Sequence, residues 1–110
     1  MATKVLLLTV ALGLATAVTL SAQQPSDAAT LFAKTCASCH GAAGTPTASM
    51  KTSMGVPDFA VAATLASVPD SVLRATLMNG KGRMMPAYKS RLTPEQIAAL
   101  VSYIRTFSKH

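Results

Sequence analysis

The apolar positions of this chain form one unbroken block, followed by stripes at helical spacing. From Val5 to Leu20 no charged residue occurs, and Leu, Val and Ala dominate. The polar run Gln23-Gln24-Pro25-Ser26-Asp27 closes the block. Beyond it, Ala28, Leu31, Phe32, Thr35 and Cys36 fall at i, i+3, i+4, i+7 and i+8, one face of a helix predicted from Asp27 to about Ser38. Ser26 is placed to cap it, and Asp27 suits its positive start. Residues 41–55 carry glycines, Pro46, Thr and Ser with little periodicity and read as a loop. A short helical turn is expected within 56–66. A middle helix is predicted from Val68 or Pro69 to Asn79, with Ser67 and Asp70 spaced as a capping box. Its inner face is Val72, Leu73, Thr76 and Leu77, with Met78 packed beside it, and Asn79-Gly80 stops it. The last helix has the strongest signals: Thr93 as cap, Pro94 at the first position and Gln96 three residues after the cap. Leu92 is placed to pack on Ile97, and Ile97, Leu100, Val101, Ile104 and Phe107 form a continuous apolar face. No stretch alternates as a strand would.

The first block changes the domain count. Lys4 precedes it, and small residues at Ala15-Thr16-Ala17 and Ser21-Ala22-Gln23 follow or end it, the order of a secretory leader. About 16 uncharged residues is short for a membrane span, which needs ~20. The expectation is a signal peptide over 1–22 and one small domain over 23–110, with an uncleaved anchor as the other reading. No Cys lies near the junction, so a lipid anchor is not expected. The remaining domain is small enough that a single core needs a staple. Two Cys residues cannot supply a disulfide framework.

Those two Cys residues instead carry chemistry. Cys36-Ala37-Ser38-Cys39-His40 is a Cys-x-x-Cys-His run, the attachment signature of c-type haem. Two thiols three residues apart can each form a thioether to a vinyl group of one porphyrin, and the next residue, His40, is then placed to bind the iron. A disulfide oxidoreductase also uses Cys-x-x-Cys, but with a strand before it and a helix after it. A zinc site would need two further ligands, and the only other His is His110. The leader favours haem, because exported routes are where this group is attached. For the sixth iron position a Met thioether raises the potential, whereas an open position favours gas binding or peroxide chemistry. Met78 lies beside the apolar stripe of the middle helix and reads as packing, and Met50 and Met54 sit in the first loop with no rigid frame. Met85 precedes Pro86, which holds its backbone extended, and follows Gly80 and Gly82. It is the candidate, with Met84 as alternative.

From Leu31 to Phe107 the chain resembles the small soluble class I cytochromes c of bacteria. Cys36, Cys39, His40 and Gly41 match the attachment motif, and Met85-Pro86 the axial Met-Pro pair. Asn79-Gly80-Lys81-Gly82 resembles the family's loop, and Phe32 and Tyr103 match the aromatics where its first and last helices cross. Ala28 stands where that family commonly has Gly, which implies a slightly wider crossing. Pro57-Asp58-Phe59 resembles the family's Pro-x-Leu segment. By that resemblance the Pro57 carbonyl accepts from the His40 ring N–H, with Pro46 as alternative. The resemblance implies an all-α cytochrome c fold, three to four helices wrapped around one covalently bound haem. It implies haem c with iron ligated by His40 and Met85, and a single-electron carrier rather than an enzyme. The alternative is the electron-entry cytochrome subunit of a periplasmic dehydrogenase, oxidase or reductase complex. A periplasmic or otherwise exported location follows, with no stable membrane span in the mature form.

Charge bears on partners. Lys and Arg number 10 against 4 Asp and Glu. Lys34, Lys51, Lys81, Arg83, Lys89 and Arg91 are expected around the exposed haem edge, ready for redox proteins with acidic docking surfaces. Aromatic residues make up 5% of the chain, too few for the stacking platforms of nucleic-acid binders, and no nucleic-acid partner is expected.

Overall fold

The computed structural model describes residues 13–15, 17 and 25–108. The expected leader, residues 1–22, lies outside the described residues except for 13–15 and 17, which adopt no helix or strand. Among the described residues no helix is long and apolar enough to cross a membrane.

The chain folds into six helices among the described residues: α1 (Pro25–Thr35), α2 (Ala37–His40), α3 (Ala48–Met54), α4 (Ala62–Ala66), α5 (Asp70–Asn79) and α6 (Pro94–Thr106). The architecture is all-α, and the only β-type pairing among the described residues is an isolated antiparallel bridge between Lys81 and Met85. Helices α1 and α5 both pack on α6. At the α1–α6 crossing Phe32 meets Tyr103 edge-on with ring centroids 5.5 Å apart. Phe107 completes the cluster at 5.1 Å from Phe32 and 5.0 Å from Tyr103. Ala28, Phe32, Leu65, Leu77, Ile97, Leu100, Val101 and Ile104 are buried around it.

Helix α6 follows its local signals. Thr93 Oγ1 accepts from the Gln96 amide at 3.1 Å, and Gln96 Oε1 accepts from the Thr93 amide at 2.9 Å. Leu92 packs against the buried cluster that contains Ile97. At its other end the Arg105 guanidinium donates to Asp70 Oδ1 at 2.6 Å, to the Leu65 carbonyl at 3.2 Å and to the Val68 carbonyl. One side chain thereby satisfies carbonyls at the end of α4 and just beyond it and ties the start of α5 to α6.

The structure departs from expectation in five places. Helix α1 begins at Pro25, so Ser26 lies inside its first turn; proline suits that first position because a first-turn N–H has no intrahelical acceptor. The helix does not run unbroken to Ser38, because the winding is interrupted at Cys36, whose φ of −117° lies far from the helical value. Residues 41–55 are not all loop. They contain α3, capped by Thr47 Oγ1 accepting from the Met50 amide and closed by Gly55 in the left-handed conformation. Ser67 and Asp70 form no capping box: Ser67 closes α4, Pro69 stands at the α5 cap, and Asp70 faces Arg105. Val72 and Met78 are 49% and 41% exposed rather than packed, because α5 turns only its Leu73, Thr76 and Leu77 side inward.

Candidate functional site: one turn of thiols and imidazole

The break at Cys36 builds the site. The Cys36 amide still donates to the Phe32 carbonyl at 2.8 Å. The Cys36 carbonyl then accepts from both the Cys39 amide at 3.2 Å and the His40 amide at 3.0 Å. Cys36 to His40 is thereby wound into a single tight turn that carries both cysteines and the histidine. Both Cys residues are free and half-buried. Gly41 follows with φ 79°, and a Cβ there would sit 2.0 Å from the Thr45 carbonyl oxygen. Glycine is therefore required for the chain to fold back directly after His40.

The His40 ring stacks on Phe59, with centroids 4.8 Å apart and planes 13° from parallel. Phe59 is 7% exposed, and its amide donates to the Gly44 carbonyl at 2.9 Å. The His40 Nδ1 atom is buried and has no hydrogen-bond partner among the described residues. Neither the expected Pro57 carbonyl nor that of Pro46 reaches it, and Pro57 is exposed. Asp58 instead organises this segment. It accepts from Lys51 Nζ at 2.6 Å, Thr45 Oγ1 at 3.0 Å and the Ala60 amide at 3.1 Å. The Lys51 hydrogen bond holds the Asp58 carboxyl below the usual carboxylate range. Burial lowers the His40 pKa and so favours the neutral imidazole, the form that ligates metals.

The loop after α5 brings up the second candidate ligand. Lys81 and Met85 exchange backbone hydrogen bonds at 3.0 and 3.3 Å. Gly80 has φ 75°, and a Cβ there would meet the Met85 carbonyl oxygen at 2.6 Å. Met85 is half-buried and packs against the buried cluster, as Cys36 does, whereas Met84 is 64% exposed. Tyr88 is 7% exposed. Its amide donates to the Leu77 carbonyl at 2.9 Å, and the Arg91 guanidinium lies 4.9 Å from its ring centre. Burial pushes the Tyr88 phenol up, and the nearby Cys36 adds to the rise. The buried roles of Tyr88 and Phe59 and the linking role of Asp58 were not apparent from the sequence; a lone aromatic in a polar loop gives no periodic signal.

These surroundings decide between the chemistries open to a Cys-x-x-Cys pair. A thiol oxidoreductase needs a thiol whose pKa is lowered, because thiolate is the nucleophile. Here burial pushes the Cys36 thiol up to about 11. Helix precedes the motif and a glycine turn follows it, the reverse of the strand-then-helix setting. Among the described residues no three His, Cys, Asp or Glu side chains gather as a metal cluster would. A porphyrin iron fits what is present: two free thiols three residues apart, a half-buried imidazole whose buried Nδ1 has no hydrogen-bond partner among the described residues, and a thioether packed on the apolar core.

Comparison with known proteins agrees. Residues 23–104 match the family described as cytochrome C oxidase, cbb3-type, subunit III. The cbb3-type cytochrome c oxidase subunit FixP of Bradyrhizobium sp. (strain ORS 278) is 33% identical over 92 residues, which are 79% of this chain and 30% of that protein. The FixP subunit of Azorhizobium caulinodans is 33% identical over 78 residues, 71% of this chain and 25% of that protein. The chain thus spans less than a third of the length of these relatives. The solved KustC0563 c-type cytochrome superposes with a TM-score of 0.68 at 34% identity, covering 74% of this chain and 98% of that one. The chain belongs to the cbb3-type subunit III family of c-type cytochromes and is a small class I cytochrome c that transfers electrons through covalently attached haem c.

Proposed function

We propose that this chain is a single-electron carrier rather than an enzyme, with Cys36 and Cys39 as the thioether links and His40 and Met85 as the axial iron ligands. The observation that carries the ligand assignment is the tight turn from Cys36 to His40, closed by the Cys39 and His40 amides on the Cys36 carbonyl, which puts both cysteines and the histidine in one turn. Met85 is supported by its packing on the core and by the Gly80 turn that lets its loop close. Bound haem iron supplies a one-electron couple whose potential follows from axial ligands and burial. The chain's own residues do the rest. His40 and Met85 would hold the iron in both oxidation states, so little rearrangement would accompany transfer. The surrounding apolar side chains would keep water from the metal, and the tight turn keeps the histidine backbone in place.

A leader over residues 1–22 and a periplasmic or otherwise exported location complete this reading. The partners are redox proteins with acidic docking surfaces. Lys34, Lys81, Arg83, Lys89 and Arg91 are exposed and have no carboxylate at salt-bridge distance among the described residues; Lys51 is exposed but engaged by Asp58. The family and the FixP relatives favour a second reading, a cytochrome domain that serves as the electron entry of an oxidase complex.

The test is expression in a host able to attach c-type haem. The mature protein should gain the mass of one haem, and its oxidised optical spectrum should contain the Met–iron band. No added mass at Cys36 and Cys39 would remove the assignment. Transfer to an acidic partner should slow steeply with salt, and copurification with oxidase subunits would select the second reading.

A further inference from the structure

The His40 ring is held by stacking rather than by a hydrogen bond. Its Nδ1 atom is buried without a partner among the described residues, so no acceptor among them fixes the rotation of the imidazole. The group that does define the ring's plane is Phe59, 13° from parallel at 4.8 Å. Phe59 in turn is held from both sides of its backbone. Its own amide is fixed to the Gly44 carbonyl at 2.9 Å. The Asp58 carboxylate, one residue earlier, accepts from the Ala60 amide one residue later and curls the chain around Phe59. The same carboxylate reaches Thr45 in the return loop and Lys51 in α3. The Asp58 side chain is only 16% exposed, so these donors replace much of its hydration.

We propose that Asp58 is a positioning residue for electron transfer: through its bonds to Thr45, Lys51 and Ala60 it sets the Phe59 ring against His40 and so fixes the rotation of the axial imidazole. The inference rests on His40 as iron ligand. It assigns the orienting role, which the family resemblance gives to a carbonyl acceptor, to a ring stack anchored by a carboxylate. Groups that orient a ligating His tune the metal it holds.

The experiment uses the exported haem-bearing protein in its oxidised state. Proton NMR of the haem methyl groups reads imidazole orientation through the order and spread of the paramagnetically shifted resonances. Phe59→Leu and Asp58→Ala should both reorder those resonances and shift the midpoint potential in the same direction. Asp58→Asn keeps an oxygen able to accept from Thr45 and Ala60 but loses the Lys51 bond, so it should move the pattern less than Asp58→Ala does. Asp70→Ala removes the other ion pair, that with Arg105, and should lower the melting temperature without moving the methyl pattern. If Asp58→Ala is too unstable to purify, Lys51→Met, a substitution at an exposed position, should move the methyl pattern in the same sense by a smaller amount. A lowered melting temperature with an unmoved methyl pattern and potential in Phe59→Leu and Asp58→Ala, or in Lys51→Met where Asp58→Ala cannot be purified, would overturn the proposal. Failure of the ligand reading is separable: the wild-type protein itself would then lack a low-spin spectrum.

Discussion

Met84 and Met85 are adjacent, and their surroundings are opposite. Met84 is 64% exposed, while Met85 packs on the buried cluster. In the haem-bearing protein Met85→Ala is expected to open the sixth iron position. The reduced variant should bind carbon monoxide rapidly at neutral pH, and its potential should fall with loss of the soft thioether. Met84→Ala should change neither; an optical titration with carbon monoxide compares the two, and the reverse result would transfer the role to Met84. Asp58 makes a separate prediction. Lys51 holds its folded carboxyl below the usual range. A depressed carboxylate adds stability above its unfolded pKa, about 3.9, and that stability disappears as pH falls through the folded value. The stability difference between wild type and Asp58→Asn should therefore be full above about pH 4 and vanish in more acid solution. Urea unfolding across that range measures it.

At the scale of elements, caps decided more than apolar stripes. Helix α6 has both: a reciprocal Thr93–Gln96 box and buried Ile97, Leu100, Val101 and Ile104. Thr93→Ala should cost about 1 kcal/mol. The urea midpoint should move while the slope of the transition stays the same. Helix α3 has caps alone, Thr47 at one end and Gly55 at the other, and buries no residue. A search for apolar periodicity passes over such a helix, although the Thr47 and Gly55 signals were present in the chain. For α5 the Ser67–Asp70 spacing was misleading. The acidic residue serves Arg105, 35 positions away along the chain, and no local pattern announces such a partner.

For the whole molecule, the α1–α6 crossing supplies a protein core, with Phe32, Leu100 and Val101 almost fully buried. Around the motif the apolar surface belongs to Phe59, Tyr88 and Met85, contributed by loops rather than by a packed pair of helices. At ~25 cal/mol per Å² a mostly enclosed haem contributes of order 10 kcal/mol, comparable to the net stability of a domain. Without it, the loops that form the site have little to fold upon. The Cys36→Ala, Cys39→Ala double variant should therefore show little helix by circular dichroism, and a spectrum like that of the haem-bearing protein would contradict this.

What the chain determined by itself lies within a few residues of each signal: the Cys-x-x-Cys-His run, the Thr-x-x-Gln box, and Gly41 and Gly80 where the backbone must turn with positive φ. Each depends on covalent spacing or on bonds to near neighbours, so the order of residues suffices to read it. Tertiary structure alone decided that Phe59 lies flat on His40, that Asp58 joins Thr45 to Lys51, and that Arg105 clasps the end of α4 and the start of α5. Those outcomes depend on which distant segments arrive beside one another, and only the packed chain brings them together.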